Sequence, residues 1–227
     1  VREHGLRVLS HPKVWIRRPD AAVMVGGNAM GHIYVELGER RRPWWTTLAD
    51  RWHELHDALV ARESVDLVAV ALDDRTVQVS HATRGRATIV RDGAAHDPEA
   101  RWSYRYGTGD PLGVGRELHA VDHLAAHEAC ALSDYPDGIV QLGDVVPSRR
   151  AGDFVLSAAP GWDLRDRFEP TPHRSTHGAL HREQIMVPLL VDAPVARTPR
   201  RSADVMPSAA ALLGRPVTTP VDGISWR

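Results

Sequence analysis

The clearest pattern along the chain is helical. Leu48, Trp52, Leu55 and Leu59 recur at the spacing of one helix face with charged residues between them, which predicts an amphipathic helix over Thr47 to Glu63. Trp44 and Trp45 precede it and are placed to pack at its start. Val65 to Leu72 is an apolar run, the pattern of a strand covered on both faces. Shorter apolar or β-branched runs predict strands at Ala21 to Val25, His32 to Glu36 and Gly152 to Ala159. Gly26-Gly27-Asn28 supplies turn chemistry between the first two. Thr76 to Ser80 and Arg86 to Arg91 predict a hairpin turning near Gly85. Arg116 to Leu132 reads as a second helix, Gly138 to Val146 as a further segment, and Ala203 to Leu213 as the last helix. Arg2 to Pro12 reads as a helix end stopped by Gly5 and followed by a short extended piece. Ile185 to Val191 is a third apolar run and predicts a buried strand. Alternating helices and buried strands predict an α/β layered sheet flanked by helices. Thr76 to Leu112 fits less well and is compatible with a small inserted cap. No internal repeat, linker or domain boundary interrupts residues 1 to 227.

Composition narrows the function classes. The apolar and charged fractions, 43% and 25%, are those of an ordinary globular protein. A net charge of -1 gives no sign of a basic surface for a nucleic-acid duplex. No stretch approaches the ~20 apolar residues of a membrane span. The first residues lack the apolar core of a signal peptide, and Cys130 is the only cysteine, so a cytoplasmic location is expected. Cys130 lies in an alanine-rich stretch and reads as a small buried hydrophobe.

The glycine-rich stretch Gly107 to Gly115 reads as a loop; it has no Gly-Lys-[Ser/Thr] ending and no apolar strand leading into it. The histidines carry the remaining chemistry. His53 and His56 on the first helix have a weak metal spacing and read as surface or boundary histidines; His123 and His127, with Asp122 and Glu128, have a spacing on the second that can chelate, but a solvated helix face explains them more simply. His32 reads as a strand histidine. His173, His177 and His181 stand just before the Ile185 run. Spacing i, i+4, i+8 also allows a single helix face, with Gly178 inside it at a cost of ~1 kcal/mol against Ala. A loop leading into a strand fits better, with His177-Gly178 at the mouth of the sheet and Asp163, on the exit turn Pro160-Gly161-Trp162-Asp163, nearby.

This C-terminal part resembles the end of an alkaline-phosphatase superfamily domain, nearest the type I phosphodiesterase/nucleotide pyrophosphatase branch. The resemblance rests on an ordered series: His177-Gly178, Val187-Pro188, the Asp-x-x-Pro-[Ser/Thr] pattern from Asp204 to Ser208, Leu213-Gly214 and Asp222-Gly223. It implies hydrolysis of phosphodiester or phosphomonoester bonds by double displacement at phosphorus, with two divalent metal ions, zinc or else manganese. It also implies that His177 ligates one of them, and that the substrate is a small phosphate ester or nucleotide. His173 and His181 lack the motif match and are expected to be outer partners or solvated. Glu3-His4-Gly5 is not the family's Asp-His-Gly, because no apolar strand precedes it. No nucleophile and no further ligand map onto this sequence. The resemblance therefore implies that both lie upstream of Val1 in a longer chain, that residues 1 to 227 are the C-terminal portion of one hydrolase domain, and that this chain alone is inactive or nearly so. The other function class is a truncated, non-catalytic domain serving as a binding or structural module.

Overall fold

A nine-stranded sheet organises the chain, in the order β1-β2-β3-β9-β4-β5-β6-β7-β8. The computed structural model describes residues 1–10, 15–39, 42–95, 97, 99–165, 175–196, 201–215 and 217–226. The strands are β1 (Val8–Ser10), β2 (Ala21–Gly26), β3 (Met30–Tyr34), β4 (Val65–Ala71), β5 (Thr76–His81), β6 (Gly85–Asp92), β7 (Arg101–Tyr106), β8 (Leu118–Val121) and β9 (Phe154–Ala158). Among these strands β1 and β2 pair in parallel, and the other neighbours run antiparallel. β4 and β9 are buried along their whole length. Their alternating side chains feed two cores. Leu67, Ala69, Ala71 and Val155 join the core containing Ile89, Trp102, Tyr104 and Ile139. Val68, Val70, Phe154 and Leu156 join the core containing Trp45, Leu48, Trp52, Leu55 and Leu59. The second core lies under α1 (Trp45–Val60); the first takes side chains from α2 (His123–Cys130) and α3 (Gly138–Val145). The architecture is the α/β layering that the apolar pattern predicts.

Three expectations fail. The region Thr76 to Leu112 is not a cap, because β5, β6 and β7 continue the main sheet. The helix expected over Arg116 to Leu132 is split. Leu118 and Val121 pair with Tyr104 and Trp102 as an edge strand, and the Asp122 carboxylate then caps α2 by accepting from the Ala125 N–H at 2.8 Å. Pairing with β7 overrides a helical pattern that is weak in this stretch. Ile185 to Val191 is neither strand nor buried. A one-turn helix α4 (Arg182–Ile185) takes its first residue, and Met186, Val187, Leu189 and Leu190 are exposed, Leu190 by 95%. Pro188 removes a ladder donor in its middle, and the buried positions either side of β4 are already filled by β9 and β5. The last helix, α5 (Val205–Leu212), follows a short 3-10 turn at Ser202–Asp204.

Candidate functional site

One end of the sheet collects the chemistry. The β2–β3 turn, the exit of β9, the start of β4 and the end of β5 all lie there, as their registers require: Met30 opposes Ser157, Val65 opposes Ala158, and Val68 opposes Ser80. Residues 175–182 return across this end as a strap. The His177 N–H donates to the Gly27 carbonyl at 2.8 Å, and its own carbonyl accepts from the Ala29 N–H at 3.1 Å. His177 thus forms an isolated parallel bridge with Asn28. The turn has left-handed backbone at both Gly27 (φ +59°) and Asn28 (φ +72°). Gly27 admits the strap because it has no Cβ: one built there would lie 2.3 Å from His177 Nδ1 and 2.5 Å from its carbonyl oxygen. The His177 side chain is exposed. Asp163 lies on the same side, since the Leu164 N–H donates to the Asn28 carbonyl at 2.7 Å.

The far end of the strap is clamped. The Leu180 N–H donates to Ser157 Oγ at 3.0 Å and the Arg182 N–H to the Asp134 carbonyl at 2.7 Å. The Arg182 guanidinium reaches the carbonyls of Leu132 and Ser133. His181 caps α4 by accepting from the Glu183 N–H, and its ring meets Tyr135 edge-on at 5.9 Å. His181 therefore has a structural role, and His173 lies outside the described residues.

Behind the strap stands a buried polar cluster that the apolar reading of Val65 to Leu72 passes over. Asp66, 8% exposed, accepts from the Tyr135 hydroxyl at 2.7 Å. His81 Nδ1 accepts the N–H groups of Thr83 and Arg84, so its proton sits on Nε2, 3.3 Å from Asp66 Oδ1. Arg84 lies over the Tyr135 ring at 5.2 Å, contacts the Tyr135 oxygen closely, and approaches Asp66 at 3.5 Å. Burial pushes His81 below the ordinary imidazole value and Arg84 pushes the same way, while Asp66 opposes them. Burial, helped by Asp66, pushes the Tyr135 hydroxyl up. The cluster holds Asp66 with protein donors and, through Tyr135, fixes the 132–137 loop whose carbonyls accept from Arg182. The only sequence signal for it is one carboxylate in an otherwise apolar strand.

The helix histidines also depart from expectation. His127 is 4% exposed, not solvated, and faces Asp137 at 3.3 Å. Asp137 in turn takes Nε and Nη2 of Arg201 at 2.9 and 2.8 Å, and Arg201 contacts His123. This set ties the C-terminal segment to α2 and α3. His56 is likewise buried rather than at the surface, between Trp45, Asp57 and Ser80, whereas His53 is exposed and contacts the Ala49 carbonyl. His32 accepts the Gly152 N–H at 2.9 Å and serves as a strand histidine. Among the described residues no group of three or more His, Cys, Asp or Glu is placed to hold a metal ion. The described residues alone thus do not fit a two-metal centre, and His177 is the one position at the sheet end where the family pattern expects a ligand.

The other parts of that pattern are structural. Asp204 is buried and accepts the Ile224 N–H at 2.9 Å; Ser208 Oγ donates to the Asp204 carbonyl at 2.6 Å and accepts the Trp226 N–H at 3.0 Å. Gly223 lies against the Ala203 carbonyl so closely that a Cβ would fall 1.9 Å from it, and Gly214 (φ +69°) ends the α5 region in left-handed backbone. No helix among the described residues is long and apolar enough to cross a membrane. No family model matches the chain, and neither a curated protein nor a solved structure matches it.

Proposed function

We propose that this chain forms part of a metal-dependent hydrolase of phosphate esters, nearest the phosphodiesterase/nucleotide pyrophosphatase branch of the alkaline-phosphatase superfamily. The observation that carries the reading is the seat of His177. Its backbone is bonded on both sides to the β2–β3 turn at the end of the sheet, its side chain is exposed, and only a glycine leaves room for it. A ligand held through its backbone on rigid elements needs little reorganisation to bind a metal. The ordered motifs from His177 to Gly223 give the class. In this reading the nucleophile and the remaining ligands of two divalent ions, zinc or manganese, come from residues outside those described. The substrate is a small phosphate ester or nucleotide, and the setting is cytoplasmic. No step of the reaction is assigned to residues 1 to 227.

A second reading, a non-catalytic binding or structural module, is favoured by the exposed apolar surface of the C-terminal segment. One experiment separates the two. The purified chain is assayed with an aryl phosphodiester and an aryl phosphate, with zinc or manganese added, and then within a polypeptide extended by its upstream coding sequence. The hydrolase reading expects weak or no turnover from the chain, and EDTA-sensitive turnover from the extended protein that His177→Ala sharply reduces together with metal content. An inactive extended protein, or one whose metal content is unchanged by His177→Ala, overturns it.

A further inference from the structure

Asp137 stands at the start of α3 but does not cap it. Its backbone is left-handed (φ +63°), a conformation that an L-residue resists, and its side chain makes no bond to the helix it precedes. The carboxylate turns instead to a junction with α2 and the C-terminal segment. Its Oδ2 takes Nε and Nη2 of Arg201 at 2.9 and 2.8 Å. Its Oδ1 faces His127 Nδ1 at 3.3 Å, and both of these buried atoms lack a hydrogen-bond partner. Buried polar atoms are normally paired, and backbone strain of this kind collects at switch positions.

Protons on the two α2 histidines rewire this junction. Arg201 has donors only, so the contact of its Nη1 with His123 Nε2 requires a neutral imidazole protonated on Nδ1. A proton added to His123 removes that acceptor and sets two cations against each other. Protonated His127 presents an N–H cation to Asp137 Oδ1, so Asp137 gains a cation from α2 that competes with Arg201. Both changes weaken the hold on Arg201. Around His123, burial and Arg201 oppose the proton, while Asp137, Asp222 and Asp144 favour it from farther off, and the balance keeps the imidazole below its ordinary 6.5. The tied state therefore binds fewer protons than the released one. The tie is at full strength above pH 6.5 and weakens as the pH falls below it. What Arg201 holds is braced from within. Asp204 accepts the Ile224 N–H, Ser208 links the Asp204 carbonyl to the Trp226 N–H, and Gly223 packs on the Ala203 carbonyl. None of these contacts involves a histidine, so the segment keeps them when Arg201 lets go.

We propose that His123, His127, Asp137 and Arg201 form a pH-sensitive latch that holds residues 201–226 against α2 and α3 at neutral pH and releases them in mild acid. The proposal is independent of the hydrolase reading. The test is the distance between spin labels on Leu132→Cys and Leu213→Cys in the full chain; both leucines are exposed, and Cys130 is buried. At about pH 7.5 one distance is expected, and at about pH 5 a longer one in at least about half of the molecules. The amides of Val68 and Val70 in β4 stay protected from exchange throughout. His123→Gln keeps an acceptor for Arg201 and takes up no proton, so at about pH 5 at least about threefold fewer molecules are released. Asp137→Asn suits the left-handed backbone but removes the charge, and shows the longer distance already at about pH 7.5, which gives a second reading if His123→Gln folds poorly. One distance at every pH overturns the proposal. So does an undiminished acid response in His123→Gln, a short distance at neutral pH in Asp137→Asn, or loss of β4 protection together with the release.

Discussion

Replacing Gly27 by alanine tests how the strap is seated. Gly27 sits at φ +59°, and an added Cβ would meet His177 Nδ1, O and Cε1 at 2.3, 2.5 and 2.6 Å. The left-handed backbone alone costs an L-residue roughly 1–2 kcal/mol. The steric term is larger than any side-chain adjustment can relieve, because one of the contacts is backbone. The strap must move, giving up the bonds from His177 N to Gly27 O and from Ala29 N to His177 O. At about 1 kcal/mol each these bring the total to roughly 3–4 kcal/mol. Gly161→Ala isolates the backbone term, since Gly161 has φ +80° and nothing within 4 Å of an added methyl. At about 2–4 °C per kcal/mol for a chain of this size, Gly27→Ala lowers the melting temperature by roughly 6–16 °C and Gly161→Ala by roughly 2–8 °C. Amide exchange gives the local readout: the His177 and Ala29 amides lose protection in Gly27→Ala alone. Equal melting shifts for the two variants, with both amides still protected, would refute the seat described for His177.

Three further outcomes are expected. Tyr135→Phe removes the hydroxyl that donates to buried Asp66 and lowers unfolding free energy in urea by about 1.5–3 kcal/mol; no loss would show that His81 and Arg84 satisfy the carboxylate alone. Leu190→Ala changes stability by less than ~0.5 kcal/mol, because Leu190 is 95% exposed; a loss of about 2 kcal/mol or more, as for a core leucine, would restore the buried strand. Burial holds His32, His56, His81 and His123 below the ordinary imidazole value, with Arg42, Arg84 and Arg201 adding to it at His32, His81 and His123. Between the folded and unfolded values the unfolded chain binds more protons, so stability present above pH 6.5 is lost as pH falls below it. Melting temperature therefore drops from pH 7 toward pH 5, less steeply in His56→Gln, and a rise over that range contradicts the assignment.

The sheet was legible where one residue pattern had one physical solution. The helix at Leu48, Trp52, Leu55 and Leu59 has a single apolar face, and that face is what α1 buries. β4 is apolar on both faces and sits at the centre of the sheet between β9 and β5, as a strand covered on both sides must. Gly26-Gly27-Asn28 is a turn because two successive left-handed residues suit glycine and asparagine. The failures share a cause. Leu118 to Val121 has no strong local preference, and its state is decided by pairing with β7, which lies outside the local pattern. His56 and His127 carry the same helical spacing as surface histidines, and what buries them is Trp45 in one case and the 132–137 loop with Asp137 in the other. Spacing reports which residues share a face, not what covers that face.

The same distinction links the two unusual regions of the molecule. Ile185 to Val191 and Val205 to Leu213 are both apolar enough to read as core, and both leave large side chains in solvent. They differ in what their backbone does. The first has Pro188 in its middle and joins no ladder of the sheet. The second is a helix whose inward face is locked by Asp204, Ser208 and Trp226, so its outward face is presented in one geometry. His177 shows the same combination at the end of the sheet. Its backbone is fixed on both sides while its side chain stays open. In both places a fixed backbone or inner face carries exposed side chains.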